Sequence, residues 1–171
     1  MIGCSSSSSH TVPLNIEVPQ TRVTLLDGEY VGLQEHSGKH IAVLFWAKWC
    51  SKSRRALREF VALSAEARED VVFLAISLDK NQNEIPLREY LAVHPRGRVH
   101  FAFSGNGGDD EAALAFQAFE IPTVYLIDNK NLIVSKETSL DVLRQAVVAG
   151  VPQGWFVPLQ EQATGEEPAE G

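Results

Sequence analysis

The chain holds two thiols, Cys4 and Cys50, and their surroundings differ. Neither belongs to a metal-ligand spacing, and two cysteines cannot build a disulfide framework. Cys50 follows a continuous apolar run, Ile41 to Ala47, and precedes a stretch with helical period that starts at Ser51. It therefore stands at a strand-to-helix junction. Backbone N–H groups at a helix start point outward and the macrodipole favours negative charge, so a thiol placed there is held as its thiolate, the nucleophilic form. Lys48, Lys52, Arg54, Arg55 and Arg58 add five cations between residues 48 and 58, with no acid among them, in a chain whose net charge is −7. The competing reading is a buried structural cysteine beside a solvated basic helix face.

The other polar groups carry weaker chemistry. His10, His36, His40, His94 and His100 show no metal-like spacing and read as surface or internally satisfied histidines, so no metal is implied. Asp79-Lys80 and Asp109-Asp110-Glu111 read as loop and cap residues rather than catalytic acids. Gly105-Asn106-Gly107-Gly108 follows no phosphate-binding pattern.

The elements that must position Cys50 can be read from periodicity. With 171 residues, 44% apolar and 22% charged, the chain suits one soluble domain with short tails, and not a disordered chain or a fibre. The acidic balance argues against a general nucleic-acid binder, and no run approaches 18 apolar residues. Asp27-Gly28 between two alternating runs predicts a hairpin. Ile41–Ala47 and Val71–Leu78 predict buried strands, with a helix from Ser51 to Asp70 between them. A short helix over 84–93, a strand over 99–103 and a helix from Asp109 or Asp110 to Phe119, built on Ala112, Leu114, Phe116 and Phe119, follow. Thr123–Asp128 and Leu132–Val134 predict a second hairpin, and a last helix starts at Ser139 or Asp141 with Leu140, Leu143, Val147 and Val148 inward. Strands and helices alternating in this order predict an α/β fold with a central mixed sheet flanked by helices and an N-terminal β-hairpin extension. Residues 1–13 read as a flexible Ser-rich tether, 14–150 as the domain and 151–171 as an acidic tail with one apolar cluster around Trp155-Phe156.

Phe45-Trp46-Ala47-Lys48-Trp49-Cys50-Ser51-Lys52-Ser53 resembles the thioredoxin active-site strand and turn, and Ile121-Pro122-Thr123 resembles the family's cis-proline segment. The leading hairpin and the element inserted before the proline are similar to the TlpA-like branch, the envelope thiol–disulfide proteins. The resemblance covers residues 14–150 and implies a thioredoxin-like fold, no cofactor, a cis Pro122, and a docking cleft made by Trp49, Ile121 and Pro122 with Lys48 and Lys52 on its rim. Two departures matter. Ser53 stands where the family has its second cysteine, and Leu44 where classical thioredoxins carry a buried aspartate. Ser53 can donate a hydrogen bond to the Cys50 thiolate but cannot resolve a mixed disulfide.

The resemblance therefore implies monothiol exchange through Cys50 with a thiol- or disulfide-containing protein or a small thiol, and no nucleic acid. The alternatives are a redox-inactive binding module that docks an extended segment, and a peroxide-reducing thiol enzyme. Met1-Ile2-Gly3-Cys4 before five serines resembles a lipoprotein start, which implies lipidation of Cys4, attachment to a membrane only through that lipid, and a place in the bacterial envelope. The other reading of these residues is a plain cytoplasmic tail, from which Cys4 could fold back to resolve Cys50 if it is not lipidated.

Overall fold

The computed structural model describes residues 15–36, 38–137 and 140–150. The tether, Cys4, His10, Ser139 and the tail from 151 on lie outside the described residues. A six-stranded mixed sheet carries the fold, in the order β1-β8-β7-β4-β5-β6. The central strand β4 (His40–Trp46) pairs parallel with β5 (Val71–Ser77) and antiparallel with β7 (Thr123–Ile127). Beyond β5 lies β6 (Val99–Phe103), parallel; beyond β7 lies β8 (Leu132–Glu137), antiparallel.

The unbroken apolar run of β4 follows from its position, because both faces of a central strand are covered. Ile41, Val43 and Phe45 enter one half of the core, while Ala42, Leu44 and Trp46 enter the other. The second half is closed by α1 (Ser51–Glu66) through Leu57, Phe60 and Leu63, by α2 (Glu84–Ala92) through Leu87 and Leu91, and by α4 (Asp141–Ala149) through Leu143, Ala146 and Val147. The first half is closed by α3 (Glu111–Ala115) and by a separate hairpin of β2 (Arg22–Thr24) and β3 (Tyr30–Gly32). The hairpin turns at Asp27-Gly28, where Gly28 takes φ 93° and the Asp27 carboxylate accepts the Glu29 N–H at 3.0 Å. Only a residue without a Cβ takes that conformation without strain.

The predicted hairpin is present, and a further short strand, β1 (Ile16–Glu17), pairs antiparallel with β8 at the sheet edge. Two expectations need correction. The helix predicted to reach Phe119 stops at Ala115, because Gln117 adopts a left-handed conformation (φ 53°) that no helix continues through. Leu114, on the outer side of α3, and Phe119, beyond its end, are half exposed rather than core. In α4, Val148 faces outward and Ala146 takes the inward place. The cap expected at Asp110 is present, its carboxylate accepting the Ala113 N–H at 3.0 Å.

Candidate active site

Cys50 is the N-cap of α1, extended at φ −91° and ψ 118°, and its Sγ accepts the Ser53 backbone N–H at 3.4 Å. Its carbonyl accepts Arg54 N–H at 3.0 Å, and its own N–H donates to Ala47 O at 3.2 Å. N-caps are normally oxygen-bearing residues whose side chain takes one of the orphan N–H groups of the first turn. Sulfur in that place is a weak acceptor as a thiol and a strong one as a thiolate. Cys50 is disulfide-bonded and 1% exposed.

Ser53 is fully buried. Its backbone N–H, not its hydroxyl, makes the bond to Cys50, and Ser53 Oγ has no hydrogen-bond partner among the described residues. Leu44 is fully buried in the half of the core that α1 covers.

The loop between β4 and α1 is fastened by a residue that sequence reading left as an ordinary loop acid. Asp79, at the end of β5 and 1% exposed, accepts the Lys48 N–H and the Ser77 hydroxyl, both on Oδ2 and both at 2.8 Å. The Lys48 carbonyl in turn accepts Arg54 Nη1 at 2.6 Å. The signal available in the sequence was position: an acid directly after a buried parallel strand lies at the same sheet end as the loop leaving the neighbouring strand. Of the five local cations, Arg54 is thus a loop clamp, and Arg55 is paired with Glu59 at 3.2 Å. Lys48, Lys52 and Arg58 form no ion pair among the described residues, so part of the positive field survives.

The Ile121–Pro122 peptide bond is cis. Because Thr123 lies opposite Phe45 in the β4–β7 register, this peptide reaches the sheet end from which the Cys50 loop departs. Ile121 is buried, and the Thr123 hydroxyl donates to Glu120 O at 2.6 Å, closing the turn. Trp46 packs in the core against Tyr90, whereas Trp49 is 48% exposed. A cleft of about 480 Å³ opens beside Trp49, lined also by Leu78, Lys80, Asp109, Leu114 and Phe119. Ile121 and Pro122 are not among the residues lining this cleft. Among the described residues no group of histidines, cysteines and acids could hold a metal.

A strand–cysteine–helix turn and a cis-proline turn at one end of a sheet of this order are the arrangement of the thioredoxin-like class. The family model described as Thioredoxin-like matches residues 38–133, and the chain belongs to that family. Within it the chain is similar to ResA/YneN-type thiol–disulfide oxidoreductases of the TlpA-like branch. Thiol-disulfide oxidoreductase ResA of Bacillus cereus is 22% identical over 130 residues, which cover 76% of this chain and 72% of the relative. The thioredoxin domain of a thiol–disulfide oxidoreductase from Bacteroides vulgatus superposes with a TM-score of 0.63 at 19% identity, over 74% of this chain and 89% of that one. The exposed lipoprotein thioredoxin Etrx1 of Streptococcus pneumoniae gives 0.59 at 19% identity, over 71% and 90%.

Proposed function

We propose that this protein carries out thiol–disulfide exchange through Cys50, on protein or small-molecule thiols, in the bacterial envelope. The observation that carries the reading is the sulfur at the N-cap of α1 with Ser53 beside it in the sequence turn. On reduction, the Cys50 thiolate would accept the Ser53 N–H it already meets, and the unpartnered Ser53 hydroxyl would gain an acceptor. A charge-assisted hydrogen bond is about twice as strong as a neutral one. The thiolate then attacks one sulfur of a partner disulfide, forming a mixed disulfide and expelling the other sulfur as a thiolate. Ser53 cannot attack that mixed disulfide, so release needs another thiol.

The similarity to an exposed lipoprotein thioredoxin supports an envelope location. Within this reading residues 1–13 are the tether, 14–150 the working domain and 151–171 a tail. Lys48 and Lys52 flank the thiol, and Trp49 with the Ile121–Pro122 turn brackets the approach to it. The cleft at Trp49, Leu114 and Phe119 would also serve a redox-inactive docking module, the second reading. One experiment separates them. The fully reduced chain should react with iodoacetamide at Cys50, at pH 6–7, at least tenfold faster than a small reference thiol, and Ser53→Ala should lower that rate. Reaction no faster than the reference would leave only the docking module.

A further inference from the structure

We propose that the cavity between the β2–β3 hairpin and the sheet is a second binding site, apart from Cys50, for a small primary amine with an aliphatic body. The core on this face of the sheet is unevenly filled. Toward the Cys50 end three rings, Phe45, Phe116 and Tyr125, pack on one another with centroids 5.0, 5.6 and 5.7 Å apart. Toward the other end the side chains are short and aliphatic. Val23, Val31 and Leu33 meet Ile41, Val72 and Leu74 there, and a cavity of about 250 Å³ lies between them. In the parallel register Ile41 stands beside Val72, and Leu74 beside His100, so β4, β5 and β6 supply the floor. The hairpin is tied to β6 by the Leu25–Ala102 bridge and by the Leu26 N–H, which donates to Phe101 O at 2.9 Å. Ile41 lies five residues before Trp46, about 17 Å back along the strand from the Cys50 loop.

The mouth of the cavity sets the chemistry of the ligand. Its polar lining is Glu29, Glu35, His36 and His100, all exposed or half-buried. Glu35 is already compensated: Arg22 pairs with it at 3.1 Å, donates to Tyr30 O at 3.2 Å and lies over the Tyr30 ring. Glu29 forms no ion pair among the described residues. His36 is held below the usual histidine range, first by burial and then by His100 and Lys39, although Glu35 and Glu29 pull the other way. At pH 7.5 its ring is therefore neutral and offers one acceptor nitrogen. Lys39 does not line the cavity. The uncompensated charge at the mouth is thus a carboxylate, with a neutral imidazole beside it. An ammonium group, with three donors and no acceptor, matches that pair, and a carboxylate headgroup does not.

The volume sets the size of the body. An apolar cavity of about 150 Å³ takes one benzene, so at the same density about 250 Å³ takes roughly ten heavy atoms. Octylamine is of that size, and its chain would replace the missing packing against the six aliphatic side chains. Pockets that bind small molecules combine such an apolar interior with a few converging polar groups.

The test is titration of the full chain with octylamine at pH 7.5, followed by amide NMR, with octanoate and octanol as matched probes. Octylamine should shift the Val31, Leu74 and His100 amides saturably and bind at least fivefold more tightly than either probe. Glu29→Gln should weaken octylamine at least threefold and leave octanol unchanged. Val31→Phe fills the cavity from the hairpin side and should abolish binding; Val72→Phe does so from the sheet side and serves if the first variant fails to fold. The iodoacetamide rate at Cys50 of the reduced chain should be the same with and without octylamine. Absence of saturable shifts, octanoate binding as tightly as octylamine, or full octylamine affinity in Glu29→Gln overturns the proposal. A Cys50 rate that follows octylamine occupancy overturns the separation of the two sites. None of these results bears on whether Cys50 itself exchanges disulfides, so the two readings fail independently.

Discussion

Asp79 offers the sharpest test of how the site is held. Its Oδ2 takes both the Lys48 N–H and the Ser77 hydroxyl, at 2.8 Å each, in a place 1% exposed. Asp79→Ala removes that acceptor and strands two donors. Each stranded donor costs about 1–3 kcal/mol, so the variant should lose about 2–6 kcal/mol. For a domain of this size that lowers Tm by roughly 5–15 °C. Asp79→Asn is the informative control. Both bonds fall on one oxygen, and an amide carbonyl can accept both, so the loss should be about 1 kcal/mol or less. Urea unfolding of the reduced full chain reads the stability, and the iodoacetamide rate at Cys50 reads the loop. Alanine should slow alkylation because the Lys48–Trp49 loop no longer holds Cys50 at the N-cap, and asparagine should not. If alanine stays within 1 kcal/mol of the parent, the loop is not fastened by this carboxylate. If asparagine is as damaging as alanine, the charge and not the acceptor is what counts, and the argument from hydrogen bonds fails.

Ser53→Cys should restore a pair able to reduce insulin-type disulfides, with turnover below that of a typical thioredoxin because Leu44 supplies no proton acceptor; an internal disulfide without any turnover would show that the groove does not take substrate. Lys48→Glu with Lys52→Glu should slow partner association several-fold at low salt and weaken its salt dependence, since rim charges act mainly on the on-rate; stopped-flow mixing at two ionic strengths checks both. His36 titrates below the usual histidine range, chiefly because it is partly buried and then because His100 and Lys39 lie near it, against the opposing pull of Glu35 and Glu29. The unfolded chain therefore binds its proton more readily than the native one, and stability should rise with pH through the ordinary histidine range and fall below it. His36→Gln should flatten that part of the Tm profile between pH 5 and 7.5, and an unchanged slope would remove His36 as the cause.

The parts of the fold legible in the sequence are those where one residue type has one physical solution. Ile41–Ala47 has no polar residue to face water, so it reads as a central strand; Asp27-Gly28 supplies the one conformation its turn requires. The Cys50 junction was legible for the same reason, since the period changes there. What escaped was non-local. β1 is two residues long, too short to show any alternation, and it exists because β8 offers an open edge. Leu114 and Phe119 are apolar enough to read as core, and only the structure shows α3 ending at Ala115 and both residues lining the cleft beside Trp49. Asp79 looked like any acid after a strand, because its use depends on which strand lies beside β5. The cis-proline turn and the thiol are about 70 residues apart in sequence, and family resemblance, not periodicity, brought them together.

The departures from the family pattern make sense as one change. A carboxylate at position 44 would be fully buried, as Leu44 is, and an unpaired buried charge is costly. The cost is offset only where a buried thiol must lose its proton nearby. Ser53 never does, so leucine is the lower-energy occupant, and the two substitutions support each other. Ser53 keeps the small polar volume and the N–H that meets Cys50 Sγ. On the proposed reading, the turn keeps the half of the exchange that needs an oriented, stabilised sulfur, and release of the mixed disulfide falls to a thiol from outside the turn, because a serine hydroxyl cannot attack it.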